Sequence, residues 1–433
     1  HLRKGVKFHN GKEFTAKDVK ASYDRLLDEE NPVRYTSTMS FITTVTVVDD
    51  YTVEMYTENP SPAMLANLCH RANLILDADY IEKYGKDLGL TAESCNGTGP
   101  YVLKEWNMGE RMVFESFPDY FEGEAPTKNF IIEIMPEAAS RAIALEMGEV
   151  DIADGCSTID VQRFMADDET GNADGICVNF YPYQGLHGFQ FNCAHPIIKD
   201  TRIRQAISYG IDRQAIIDSV LLGEGMPAYS PLQRNIYNNE NVEHYDYNPE
   251  KAQEILEAAG CTRNSDGFYE RDGEEIGFVI SVMSGEQDRI DIAQAAAQQL
   301  RETGINCTVE IPAQMDWGGQ MACLIGWGSP FDADDHTYKV FGTDKGANYS
   351  SYSNEKVDEY LSLARQSDDP EVRKEYYGKF QEELAEDPAY AFICYIDANY
   401  VADSGIQGIS KDTVLGHHGV GIFWNIQDWT IEE

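Results

Sequence analysis

Apolar residues alternate with polar ones at the start of the chain and then change to a helical spacing. Val6 and Phe8 have the period-2 spacing of a strand and lead into Asn10-Gly11, a dipeptide that favours a tight turn. Thr15 with Asp18 three residues later has the spacing of a helix capping box. An apolar stripe at helical spacing follows at Val19, Tyr23, Leu26 and Leu27. Residues 2–27 therefore predict a strand, a turn and a capped helix.

The same two spacings recur along the chain. Residues 41–57 predict two strands with a turn between them. Residues 188–222 predict a strand and two helices capped by Asp200 and Asp212. A strand, a helix and a strand follow at residues 276–283, 290–301 and 305–311. This last order is typical of a parallel βαβ unit.

Length and charge limit the class of protein. The 433 residues are enough for two or three domains, since single cores stop growing near ~250–300 residues. Lys and Arg number 34 against 74 Asp and Glu, which gives a net charge of −40. Such a charge repels phosphate backbones and anionic lipid head groups. We therefore expect no nucleic-acid partner and no direct binding to a membrane surface.

The start of the chain and the cysteines bear on membrane insertion, secretion and disulfide bonding. No apolar run approaches the ~20 residues of a membrane helix, and no basic segment with an apolar region stands at the start. His1-Leu2 has the pattern of a mid-strand position, so we expect a signal and a first segment to precede it. Nine scattered cysteines without CxxC do not form a disulfide framework or a zinc site. Cys69 and Cys95 flank a loop-rich segment and are the candidate disulfide pair.

Four separated blocks carry a family resemblance. They are LRKGVKFHNGKEFTAKDVKASYDRLL at 2–27, Gly97-Thr98-Gly99-Pro100-Tyr101 followed by a strand with Trp106, the segment from Phe191-Asn192 to Gly223, and NPEKAQEILEAAG at 248–260. In residue type and order they resemble the family 5 extracellular solute-binding proteins, which deliver oligopeptides, dipeptides, nickel complexes or sugars to ABC importers. The glycines at 97–99 do not predict a phosphate cradle, because no Lys-Ser/Thr follows and no helix begins there.

The resemblance implies an α/β fold of the type II periplasmic-binding-protein-like class. In that class two lobes with mixed sheets enclose a ligand cleft. We expect residues 1–135 to form a smaller subdomain of the N-terminal lobe, with its start truncated. Residues 136–231 and 397–433 are expected to form the core of that lobe, and residues 232–396 the C-terminal lobe.

The resemblance also implies a role. We expect a substrate-binding receptor of an ABC importer that captures a peptide-like solute, an oligopeptide first of all, and delivers it to the permease subunits in the membrane. A monomer without cofactor or metal is expected. It would be periplasmic, or extracellular as a lipoprotein tethered by a lipid anchor; signal and anchor are absent from this sequence.

Two alternatives stay open. One is the same receptor role for an oligosaccharide or another non-peptide solute. The other, less favoured, is a cleft enzyme such as a glycosidase. Because the chain has no HExxH, GxSxG, CxxC or Walker motif, we expect a protein that is not an enzyme.

The Gly-Trp motif of the family locates the predicted site. Relatives hold a peptide's α-ammonium with an acidic residue three positions after that tryptophan, a position occupied here by the uncharged Pro330. Asp332 takes over if the loop is shifted by two residues, with Asp334 and Asp335 as further candidates. A solvated acidic loop explains these residues equally well. The predicted ligand-binding residues are Trp327, Asp332, Trp317, Tyr349 and Asn348.

Three further features of the sequence bear on the class of ligand. Met283 aligns with an arginine that binds the peptide carboxylate in dipeptide-binding members, so free dipeptide is not the first expectation. The family has about three helical turns after the residue equivalent to Trp317, and here either the loop is shortened or a segment is missing. His417 and His418 would point apart on a strand, so we expect no nickel site from them.

Overall fold

The computed structural model describes residues 1–28, 30, 33, 39, 41–166, 175–181, 185–329, 331–413, 415 and 421–432. Pro330, His417 and His418 lie outside these residues. Within the described part, no helix combines the length and apolar character that crossing a membrane requires.

The described residues contain twelve α-helices and nineteen strands. The helices are α1 (Ala16–Leu26), α2 (Met64–Asn67), α3 (Ala78–Tyr84), α4 (Ala138–Glu146), α5 (Thr158–Ala166), α6 (Thr201–Tyr209), α7 (Arg213–Ser219), α8 (Pro249–Ala258), α9 (Gln287–Thr303), α10 (Ala333–Phe341), α11 (Glu355–Gln366) and α12 (Pro370–Glu386). The strands are β1 (Ile42–Asp49), β2 (Thr52–Thr57), β3 (Tyr101–Asn107), β4 (Arg111–Ser116), β5 (Asn129–Glu133), β6 (Ile152–Asp154), β7 (Ile176–Tyr181), β8 (Leu186–Phe191), β9 (Met226–Pro227), β10 (Thr262–Arg263), β11 (Tyr269–Arg271), β12 (Glu274–Glu275), β13 (Gly277–Ser281), β14 (Asn306–Glu310), β15 (Ala322–Trp327), β16 (Tyr390–Tyr395), β17 (Ala398–Asp403), β18 (Ile406–Gln407) and β19 (Thr430–Ile431).

A six-stranded mixed sheet forms the centre of one lobe, which we call the second lobe. Its strand order is β14-β13-β15-β8-β16-β9. β13 pairs in parallel with β14 and β15, and α9 connects β13 to β14, so the predicted βαβ unit is confirmed. β8 pairs antiparallel with β15 on one side and with β16 on the other. Because every residue of β8 and β16 is buried, these strands form the middle of the lobe.

Helices cover both faces of this sheet. One hydrophobic core joins the sheet to α6, α7, α8 and α9, and it includes Ile203, Ile280 and Leu300. A second core joins the sheet to α10, α11 and α12, and it includes Trp327 and Phe380. The lobe is therefore a three-layer arrangement of helices, sheet and helices.

A smaller sheet of order β6-β17-β7 forms the centre of the other lobe, which we call the first lobe. α4 and α5 pack on it through a core that includes Ala142, Phe164 and Val401. The antiparallel sheet β3-β4-β5 lies against the end of the chain, where the Thr127 hydroxyl donates to the Trp429 carbonyl at 2.8 Å. The first lobe thus combines early segments of the chain with its last one.

The chain passes between the lobes at two places. β7 ends at Tyr181 in the first lobe, and β8 begins at Leu186 in the second. On the return, only Ile396 and Asp397 separate β16 from β17. The two crossing segments therefore connect neighbouring strands of one lobe to neighbouring strands of the other. β7 and β17 pair in the first lobe, and β8 and β16 pair in the second.

The pairing of β8 divides the chain differently from the sequence expectation. We expected residues 136–231 in the N-terminal lobe, whereas Leu186–Phe191 hydrogen-bonds β15 and β16 of the second lobe. α6 and α7 share the core of α8 and α9 for the same reason. The partner strands are far away in sequence, so the local pattern does not reveal them.

The opening segment follows its prediction with one difference. The strand around Val6 is reduced to a single bridge between Lys7 and Glu13. α1 begins after Thr15 as predicted, and the Asp18 carboxylate accepts the Thr15 N–H at 2.9 Å.

The cysteines remain free thiols, all nine of them. The proposed Cys69–Cys95 disulfide is therefore wrong. Cys69 lies just beyond the short α2, and its thiol donates to the Leu65 carbonyl at 3.7 Å.

Candidate functional site

Three of the predicted aromatic residues form a row at the end of β15. Tyr349 lies between the two tryptophans, with ring centroids 5.7 Å from Trp317 and 6.3 Å from Trp327. Trp327 is buried at 5% exposure, whereas Trp317 is 43% exposed. The row therefore runs from the interior of the second lobe to the solvent.

Asn348 holds the turn beside this row. Its side-chain N–H groups donate to the carbonyls of Gly342 and Tyr352, at 2.9 and 2.8 Å. Its side-chain oxygen accepts from the Ser350 hydroxyl at 2.6 Å. Both ends of the amide thus contact the protein itself, so its visible role is to fix the loop that carries Tyr349.

The acidic residues after the Gly-Trp motif are paired with cations. Asp332 caps α10, accepting the Asp334 N–H, and also binds the Arg373 guanidinium. The partner of Asp334 is Arg365 at 3.1 Å, and that of Asp335 is Lys339 at 2.9 Å. Because α10 begins directly after Asp332, these residues do not form a solvated loop: Asp332 binds α12, Asp334 binds α11, and Asp335 pairs with Lys339 within α10.

A cavity of about 570 Å³ lies where the two lobes meet. Residues of both lobes and of the second crossing line it. They are Pro136, Ala138, Arg141, Asp154, Gly155, Cys156 and Ser157 from the first lobe, His187 and 284–289 from the second, and 396–399 from the crossing. The described residues that line the cavity include none of the five predicted ligand-binding residues.

Arg289 and His187 form the second-lobe wall of this cavity. Arg289 lies in the first turn of α9, and His187 lies on β8 directly opposite Gly326 of β15. A Cβ atom added to Gly326 would stand 3.2 Å from both the Arg289 Nη2 and the His187 Nε2. The glycine of the Gly-Trp motif thus leaves room for an imidazole and a guanidinium.

Both side chains have unused hydrogen-bonding capacity. Arg289 contacts Glu286 at 3.5 Å, but its buried Nε has no hydrogen-bond partner within the described residues. The same holds for the buried Nδ1 of His187. Burial, and then the charge of Arg289, lower the pKa of His187 to about 3, so the imidazole is neutral near pH 7. A cation and a neutral imidazole therefore face the cavity together.

The first-lobe wall adds charges of both signs. The Arg141 guanidinium donates to the carbonyls of Met135 and Gly155, each at 2.6 Å, and so ties α4 to the end of β6. Burial raises the pKa of Asp154, an effect that Glu286 across the cavity increases and Arg141 opposes. Groups of both lobes thus interact electrostatically through the cavity. Within the described residues, no cluster of His, Cys, Asp and Glu is suited to hold a metal ion.

A signal for part of this wall was visible in the sequence. His187 interrupts the apolar run Leu186–Phe191, and a titratable residue inside a buried strand is a candidate functional group. Arg289 gave no such signal, because an arginine near the start of a helix has the pattern of a solvated position. Only the close approach of its guanidinium to Gly326 of β15 reveals its place.

The fold and cleft define a binding protein of two lobes. Residues 1–349 match the model of the bacterial extracellular solute-binding proteins, family 5 Middle, and the chain belongs to this family. The expected family, the periplasmic-binding-protein class of fold and the role of solute-binding receptor are thereby confirmed. Members of the family are binding proteins rather than enzymes.

Individual relatives cover nearly the whole chain. It is 26% identical to the oligopeptide-binding protein AppA of Bacillus subtilis, over 99% of this chain and 79% of that protein. It is 30% identical to Protein XP55 of Streptomyces lividans, over 94% of this chain and 75% of the relative. The structure of NikZ from Campylobacter jejuni with Ni(L-His) superposes with a TM-score of 0.91 at 30% identity, covering 99% of this chain and 87% of NikZ. AppA with a nonapeptide gives a TM-score of 0.87 at 25% identity, covering 100% and 86%.

Proposed function

We propose that the protein captures a short peptide-like solute in the cavity between its lobes and delivers it to the permease of an ABC importer. The observation that carries the proposal is the pair of opposite charges on the second-lobe wall, Arg289 and Glu286, 3.5 Å apart. A peptide with free ends is a zwitterion, and its carboxylate and ammonium match such a pair better than a neutral sugar does.

The carboxylate end has a defined partner. The buried Nε of Arg289 is unused by the described residues, and a carboxylate would satisfy it together with a terminal N–H of the same guanidinium. The neutral His187 beside it offers a further N–H without adding a second positive charge. We therefore assign the peptide's carboxylate to this corner.

The ammonium end then lies toward the acidic side of the cavity. Asp332, Asp334 and Asp335 are engaged with Arg373, Arg365 and Lys339. Asp154 of the first lobe and Glu286 of the second line the cavity itself. We assign the ammonium to these two carboxylates, with the row of Trp317, Tyr349 and Trp327 as an apolar surface for a side chain of a longer ligand.

The volume sets a limit on ligand size. About 570 Å³ lies within the ~300–1,000 Å³ typical of small-molecule sites. A few residues of peptide fill such a space. A second candidate, a metal complex of a free amino acid, also carries a carboxylate that Arg289 could bind, and the similarity to NikZ with Ni(L-His) supports it. An oligosaccharide is the remaining alternative.

The cellular setting follows from the role. We propose a monomer outside the cytoplasmic membrane, either periplasmic or tethered by a lipid anchor, that presents its closed form to the permease. Closure by a ligand is a population shift, which requires the ligand to contact both lobes. The cavity meets that condition, since residues of both lobes line it.

A thermal-shift and calorimetry series tests the ligand class. The ligands are peptides of two to ten residues with free ends, the same peptides with an amidated C-terminus, oligosaccharides, and nickel with histidine. Free peptides should raise Tm, since a ligand at ~100 times its Kd adds about 2.7 kcal/mol to stability. Amidation should weaken binding about tenfold.

Two variants make the test specific. Arg289→Gln should remove the preference for free over amidated peptides, whereas Arg111→Gln, an exposed position on β4 with partners of its own, should preserve it. The proposal fails if an oligosaccharide raises Tm and no peptide in the series does. A response to nickel with histidine alone would favour the second candidate.

A further inference from the structure

We infer that the contact of Asp288 with Thr158 is a latch between the lobes, which holds the cleft closed and sets the ligand's residence time. The inference rests on the proposed function, in that closure is taken to be the act of capture. Asp288 is a positioning residue in this scheme. It stabilises one arrangement of the lobes without needing to touch the ligand.

The geometry joins the starts of two helices. The Thr158 hydroxyl donates to one Asp288 oxygen at 3.1 Å, and the Thr158 N–H points to the other at 3.5 Å. Thr158 is the first residue of α5, in the first lobe, and Asp288 lies in the first turn of α9, in the second. Because one residue lies in each lobe, the contact exists only while the lobes meet.

The position of the carboxylate gives the contact its strength. The start of a helix carries unpaired N–H groups and the positive end of the helix dipole. The carboxylate of Asp288 thus meets such a start in each lobe at once. Burial raises the pKa of Asp288, with Asp291 and Glu286 adding to the effect and Thr158 opposing it. The donors from Thr158 therefore offset part of the cost of burying this carboxylate.

α5 makes a second contact with the second lobe. Gln162 lies one turn after Thr158 and donates to the Glu224 side chain at 3.2 Å. Glu224 follows α7 in the second lobe. Residues four apart lie on one face of a helix, so this face of α5 contacts the second lobe at two points.

The latch also stands beside the cavity. Asp288 and its neighbour Arg289 both line the cavity, and Ser157, the residue before Thr158, lines it from the other lobe. Opening the latch would therefore expose the ligand to solvent at the corner where Arg289 lies.

Amide hydrogen exchange of the ligand-free protein tests the latch without any ligand. The variants are Asp288→Asn and Thr158→Val, with Asp291→Asn as the matched control. Asp291 lies one turn later on α9, contacts Gln287, and loses the same charge on substitution. The two latch variants should exchange about tenfold faster over 158–162, with exchange in β7 and the melting temperature unchanged. Asp291→Asn should exchange no faster than the wild type, because it leaves the contact with Thr158 intact and removes a charge that repels the Asp288 carboxylate.

Two further measurements separate a latch from a local packing defect. Thr158→Ser keeps the hydroxyl and should restore slow exchange. The double variant of Asp288→Asn and Thr158→Val should be no faster than either single one, because both weaken the same contact. Small-angle scattering should show a larger radius of gyration for the latch variants than for Asp291→Asn.

Binding of trialanine distinguishes the two proposals. Asp288→Asn should raise its Kd about tenfold through a faster dissociation rate. If the wild-type protein does not bind trialanine, the proposed function is wrong for this peptide. The exchange and scattering results then still test the latch, because they are measured without a ligand. Equal exchange and equal radius in Asp288→Asn and Asp291→Asn would overturn the latch.

Discussion

The two carboxylate oxygens of Asp332 accept hydrogen bonds from the two terminal nitrogens of Arg373, at 2.6 and 3.1 Å. This parallel pair is nearly buried, with 13% of the Asp332 side chain and 7% of the Arg373 side chain exposed. The geometry is the strong bidentate form of an ion pair. A ligand ammonium would have to compete with it, so its visible role is to hold α12 against the start of α10.

The first prediction follows for Asp332→Ala. Removing one partner of a buried pair leaves an uncompensated charge, so the free energy of unfolding should fall by about 3 kcal/mol. The Kd for peptides should change less than twofold. Denaturant unfolding and calorimetry measure the two quantities, with Asp368→Ala, an exposed acid before α12, as the control. A large loss of peptide affinity at unchanged stability would restore Asp332 as a ligand-binding residue.

A second prediction concerns Gly326→Ala. The added methyl group would lie 3.2 Å from the Arg289 Nη2, the His187 Nε2 and the Leu186 carbonyl oxygen, so the two side chains must shift. Overpacking of this kind costs about 1–3 kcal/mol. We expect peptide affinity to fall about tenfold, as calorimetry would show. Unchanged affinity would mean that the position of Arg289 does not matter for binding.

Gly378→Ala is the opposite case. Gly378 lies inside α12, and among the described residues a methyl group there meets only the Asn239 Nδ2, at an ordinary 3.7 Å. Alanine is favoured over glycine in a helix by about 1 kcal/mol. The melting temperature should rise and peptide affinity should stay constant. A fall in melting temperature would show that the helix needs the glycine for another reason.

Acid should destabilise the protein through His187. The pKa of this imidazole is lowered to about 3 by burial and by Arg289, whereas an unfolded chain has a histidine pKa near ~6.5. Its contribution is complete above about pH 6.5 and is lost as the pH falls toward 3, at up to ~1.4 kcal/mol per pH unit. Unfolding free energies from pH 7 to 4 should fall less steeply in His187→Gln. Equal slopes would contradict the burial of a neutral imidazole.

Salt should stabilise the chain. At a net charge of −40, repulsion among surface carboxylates opposes the compact state, and salt screens it. Salt also weakens the exposed ion pairs, but each of these contributes little. The melting temperature should therefore rise by several degrees between low salt and ~0.5 M NaCl, with KCl acting equally. A fall in melting temperature would show that the surface ion pairs dominate.

Local order was predictable where neighbours in sequence are neighbours in space. The helix after Thr15 and the unit of β13, α9 and β14 follow from spacing, caps and turns alone. The place of β8 does not, because its partners are β15 and β16. A strand's own pattern shows that it is buried but not which strands lie beside it.

The site shows the same limit. The sequence identified an acidic loop after Trp327, but Arg373, 41 residues beyond Asp332, determines what that carboxylate does. The aromatic row of Trp317, Tyr349 and Trp327 was predicted as a set and does lie together. Arg289 was missed because its role depends on Gly326 of β15, which is 37 positions away from this residue of α9.

The two crossings between the lobes set an order in which the protein can fold. Asn179 on β7 and its partner Tyr400 on β17 are 221 positions apart in the sequence. The second lobe is contained within that interval, and its pairing of Leu186 with Tyr395 brings the ends of the interval together. Once that lobe has formed, the entropy cost of closing so long a loop has been met. The first lobe, whose early strands precede the second lobe in the chain, is therefore completed only after the second lobe has formed.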